Sequence, residues 1–76
     1  MVSYYKFNNS YFKLDSEKTY FQQINNLPTE KLLLHSQGER IIEALHLAKV
    51  NDNWLEITEE EYNTVKSSVL DYLSAN

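Results

Sequence analysis

With 76 residues the chain has room for one domain, residues 1–76, and a small core; a fold of this size buries only about 60% of its unfolded surface. It has no cysteine, which excludes disulfides and cysteine-ligated zinc, while 42% hydrophobic and 13% aromatic residues argue against disorder. A net charge of −4 with a single arginine, Arg40, speaks against non-specific binding to nucleic acid or anionic membranes and against bidentate phosphate recognition.

The N-terminal run Met1-Val2-Ser3-Tyr4-Tyr5-Lys6 has no basic region followed by an apolar stretch, so no signal peptide is expected. The continuous apolar runs are too short for a membrane helix. A cytoplasmic location is the default expectation.

Ser3-Tyr4-Tyr5-Lys6-Phe7 is nearly repeated by Ser10-Tyr11-Phe12-Lys13-Leu14, with Asn8-Asn9 between the copies. Aromatic residues favour strands and an Asn pair tolerates a type I′ turn, so residues 3–14 read as a β-hairpin. A two-residue loop pairs Tyr5 with Phe12 and Tyr4 with Lys13. Tyr5, Phe7, Phe12 and Leu14 then share a core face. Tyr4, Lys6, Tyr11 and Lys13 share the other, expected to be an exposed Tyr–Lys checkerboard.

Asp15-Ser16-Glu17 signals a second turn. The stretch 18–25, carrying Tyr20, Phe21 and Ile24, could be a strand or a helical turn begun at Ser16; its aromatic and threonine content favours a strand. Asn25-Asn26-Leu27-Pro28 is a break, since the residue before proline is pushed out of helical space. The run Leu32-Leu33-Leu34 cannot be classified by periodicity, and 31–36 is taken as a fourth strand.

Gly38 precedes a predicted helix over 39–49, with Ile41, Ile42, Leu45 and Ala48 on one stripe. Asn51-Asp52-Asn53 is a turn. Trp54 to Ile57 reads as a short strand running into a second helix over 58–74. Thr58 and Glu61 have capping-box spacing, Ile57 and Tyr62 have hydrophobic-staple spacing, and Glu59 and Glu60 sit where the helix dipole favours negative charge. Tyr62, Val65, Val69, Tyr72 and Leu73 form one stripe, which fits either a helix–helix seam or packing on the sheet. The run Trp54 to Tyr62 resembles the tail of many small bacterial and phage proteins, and that resemblance implies only a strand entering a helix. The preference for Asn, Lys, Tyr and Ile over Arg, Gly and Ala suits an AT-rich bacterial or phage genome.

The expected fold is therefore α+β: an antiparallel meander opened by the 3–14 hairpin, with two helices packed on one face. No residue pattern supports a catalytic site, a cofactor or a metal. A lone glycine cannot build a phosphate cradle, and His35 and His46 lack metal-ligand spacing. Glu59-Glu60-Glu61 is explained by capping, and Trp54 as a core plug rather than a partner anchor.

The expected function is a small, soluble, non-enzymatic protein-interaction or accessory module, binding a protein partner or itself as a homodimer. The candidate helix interface is Tyr62, Val65, Val69 and Tyr72. The alternative is a weak single-stranded nucleic-acid binder that uses Tyr4, Lys6, Tyr11 and Lys13 as stacking platforms with interleaved charge. Against it, cross-strand and cation–π contacts account for the same residues, and few lysines stand beside a negative whole.

Overall fold

The first two strands carry the alternation that the quasi-repeat demands. The structure, a computed structural model, describes residues 1–75. β1 (Val2–Phe7) and β2 (Ser10–Asp15) pair antiparallel with Tyr5 opposite Phe12 and Tyr4 opposite Lys13, the register expected from a two-residue loop. The turn differs in one respect. Asn8 has φ 54° while Asn9 does not have positive φ, so it is not the type I′ turn expected, which needs both.

β3 (Tyr20–Asn26), β4 (Lys31–Gln37) and β5 (Leu55–Ile57) complete an antiparallel sheet of order β4-β3-β2-β1-β5. Residues 18–25 and 31–36 thus hold strands, as read from sequence. α1 (Glu39–Asn51) follows Gly38, whose φ of 153° suits glycine at the strand-to-helix corner. It links the two outermost strands. A helix of 13 residues rises about 20 Å, close to the roughly 19 Å covered by four strand spacings. α2 (Glu59–Ser74) starts directly after β5, and Thr58 Oγ1 accepts from the Glu61 N–H at 3.1 Å. This is the Thr58 half of the expected capping box. No helix among the described residues is long and apolar enough to cross a membrane.

The α+β architecture and the opening hairpin stand, but the two helices do not share a face. Tyr5, Phe12 and Leu14 pack with Ile42 of α1, and Phe7, Phe21, Leu45 and Trp54 close around them. Ile24 and Ile57 pack with Tyr62 and Val69 of α2, joined by Tyr4, Tyr11, Leu33 and Val65. The sheet lies between one helix on each face. The physical reason is the side-chain inventory of β3 and β4. Phe21 points to the α1 face and Ile24 to the α2 face, and the run of three leucines in β4 supplies both. Strands apolar on both sides need a cover on both sides.

An unpaired sheet edge as candidate functional site

The face that carries Tyr4, Lys6, Tyr11 and Lys13 is not the open checkerboard expected: α2 lies across it, and all four residues are partly buried. The Tyr4 ring meets the Tyr62 ring at 5.2 Å, and its hydroxyl donates to Glu59 Oε2 at 2.9 Å. Burial first, then that hydrogen bond and the Glu59 charge, raise the Tyr4 pKa. Lys6 Nζ sits 5.5 Å from the centroid of the Tyr11 ring. Tyrosine is amphipathic, and the rings of Tyr4 and Tyr11 serve as core here.

The candidate helix interface is largely consumed in the same way. Tyr62 and Val69 are fully buried and Val65 packs beside them, against this chain's own sheet. Tyr62 is pushed well above the ordinary tyrosine pKa, chiefly by burial, with Tyr20 and Tyr4 adding to the shift. Tyr72 remains 40% exposed, with Lys31 Nζ 5.4 Å from its ring centroid. Trp54 stacks on Phe12 at 3.9 Å and 12°, as a core plug, although its buried Nε1 has no hydrogen-bond partner among the described residues. His35 and His46 are exposed, and among the described residues no three His, Asp or Glu side chains gather as a metal site. Among the described residues the surface has no pocket.

What the sequence could not reveal is the strand order, and with it the two edges. In an antiparallel ladder, alternate residues direct both N–H and C=O to the same neighbour. The Leu27 N–H donates to the Glu30 carbonyl at 3.1 Å, and the Gly38 N–H donates to the Thr19 carbonyl at 2.8 Å. These bonds bracket the β3–β4 ladder at both ends and set its phase. Leu32, Leu34 and Ser36 bond to β3, so Lys31, Leu33, His35 and Gln37 turn their main-chain groups away from the sheet. At the opposite edge the same alternation leaves only Glu56 of β5 facing outward.

The two edges also differ in protection. Proteins blunt edge strands by shortness, charge, proline, bulges or a covering element. β5 is three residues long, with Glu56 at its centre. β4 runs for seven residues in unbroken register with β3, so it has no bulge, and it contains no proline. Its charged residue, Lys31, stands at the first position and is held by Asn26 Oδ1 and the Tyr72 ring. At its centre Leu34 is 50% exposed.

No protein-family model, curated protein or solved structure matches this chain.

Proposed function

We propose that this protein is a small non-enzymatic interaction module that binds an extended protein segment along the β4 edge. The observation that carries this reading is the outward row of main-chain donors and acceptors at Lys31, Leu33, His35 and Gln37. A strand added there gains main-chain hydrogen bonds, and alternate side chains reach either face of the sheet. Leu34 offers exposed apolar surface beside the edge on the α1 face, and Tyr72 does so on the α2 face, next to the part-buried Leu33.

The nucleic-acid reading draws less support. Stacking platforms must be open, and Tyr4 and Tyr11 are packed under α2.

The test is selection from a random library of extended heptapeptides, followed by NMR titration of the selected peptides. Amide shifts are expected along Lys31 to Gln37, with binding lost in His35→Pro. That substitution removes an outward N–H that bonds nothing among the described residues, so the β3–β4 ladder is left intact. Failure to select any peptide, or peptides that bind the variant equally well, would overturn the reading.

A further inference from the structure

We infer that the segment which occupies the β4 edge is the β4 strand of a second copy, paired antiparallel about a two-fold axis at Leu34. This rests on the edge-binding reading above and names its partner.

The strand is complementary to itself. Centring the two-fold on Leu34 pairs 33 with 35 and 31 with 37, in both directions. All of those residues turn their N–H and C=O outward, so each pair exchanges two hydrogen bonds. Every outward group of Lys31 to Gln37 is then used. Shifting the axis by one residue along the strand, to 33 or 35, leaves residues at one end of each strand without a partner inside β4.

The side chains agree with that register. Leu34, half exposed in one copy, faces the partner's Leu34 in a non-hydrogen-bonded pair, the type in which side chains approach most closely. Leu32 meets the partner's Ser36, and Leu33 meets the partner's His35. Lys31 meets the partner's Gln37, so the two lysines stand at opposite ends of the interface and no like charges oppose each other. A C2 contact of this kind closes on itself and stops at two copies, because at the other edge of the sheet, β5, only Glu56 turns its main-chain groups outward. A seven-residue edge alone is smaller than the roughly 1,200 Å² at which stable interfaces begin. The dimer is accordingly expected to be weak and concentration-dependent.

Sedimentation equilibrium of the full chain between about 10 μM and 1 mM reads this directly. The wild type is expected to move from monomer to dimer across that range. Leu34→Lys, which sets two like charges face to face at the axis, and His35→Pro, which removes hydrogen bonds on both sides of it, are each expected to remain monomeric. Leu34→Lys changes only a half-exposed side chain, so it carries the test should His35→Pro fail to fold. In mixed samples with and without isotope labels, cross-peaks between Leu33 and the partner's His35 are expected. A strict monomer at 1 mM, a dimer indifferent to both substitutions, or cross-peaks in another register would overturn the inference. A monomer that still binds selected peptides in a manner sensitive to His35→Pro would sink self-pairing alone and leave the edge reading standing.

Discussion

The Tyr62 hydroxyl donates to Gln22 Oε1 at 2.7 Å inside the apolar layer between α2 and the sheet. Both residues are buried, and Gln22 Nε2 in turn donates to the Tyr20 hydroxyl at 3.4 Å. A buried polar pair of this kind stabilises little when formed but is costly to break from one side. Tyr62→Phe leaves Gln22 Oε1 without its donor and should cost about 1–3 kcal/mol in urea unfolding. Gln22→Met, which strands the Tyr62 hydroxyl, should cost a similar amount. The double variant leaves neither group orphaned, so its loss should fall short of the sum by about 1 kcal/mol. Additive losses would mean that the hydrogen bond does not couple the two residues.

The same burial fixes an alkaline response. Tyr62 holds its proton more tightly in the folded state than an unfolded tyrosine, whose pKa is near 10. Its contribution to stability is therefore full below about pH 10 and is lost as the pH rises toward its folded value. Tyr4 acts in the same sense. Unfolding free energy should decline above about pH 10, and Tyr62→Phe should make that decline shallower. Tyrosinate absorbance provides the check: in the wild type, part of the signal should appear only as the fold is lost. Complete titration of all six tyrosines in a folded chain would contradict it.

The hairpin register was legible because two copies of one pattern flank a two-residue loop, and slipping the pairing by a residue would have mixed Tyr5 with Lys13 across a core face. The start of α2 was legible because Thr58, Glu61, Ile57 and Tyr62 carry local signals that need no tertiary context. The placement of the helices was not. Judged strand by strand, Tyr4, Lys6, Tyr11 and Lys13 read as a wet face. Only the neighbouring strands, with Ile24 and Leu33 beside Tyr11, make it a core. The opposite parity of Phe21 and Ile24, and the unbroken run Leu32-Leu33-Leu34, were the available signals of a sheet covered on both sides. The candidate edge depends on strand order. Nothing local to Leu55, Glu56 and Ile57 tells whether that strand joins β1 or β4, so the open edge could be found only in the assembled sheet.

The cap of α2 offers a direct stability test. Thr58 has extended backbone angles, and its hydroxyl oxygen takes the Glu61 N–H that the first helical turn leaves unmatched. Thr58→Ala should cost about 1 kcal/mol, whereas Thr58→Ser or Thr58→Asp should retain most of the stability. Because α2 supplies Tyr62 and Val69 to the core on one face of the sheet, the loss should register as a lower midpoint for the whole domain rather than as local fraying. An unchanged midpoint for Thr58→Ala would show that packing alone holds the start of the helix.

Thr19, in the turn between β2 and β3, has φ 48°, a left-handed conformation that a β-branched residue adopts at a cost. It is held there from outside. The Gly38 N–H donates to the Thr19 carbonyl at 2.8 Å, and Gln37 Nε2 donates to the neighbouring Lys18 carbonyl at the same distance. The end of β4 thus clamps this turn through the main chain, with no demand on the Thr19 side chain beyond its own bond to the Lys18 carbonyl. Asparagine tolerates the left-handed region far better, so Thr19→Asn should stabilise the fold by about 0.5–1 kcal/mol. For a domain of this size, 1 kcal/mol raises the melting midpoint by about 4–8 °C. Thr19→Val keeps the branched Cβ and loses the hydroxyl, so it should give no gain. Thr19→Gly should fall between the two, because relief of strain is offset by the greater freedom of glycine in the unfolded chain. A melting midpoint for Thr19→Asn at or below that of Thr19→Val would mean that the turn is not strained.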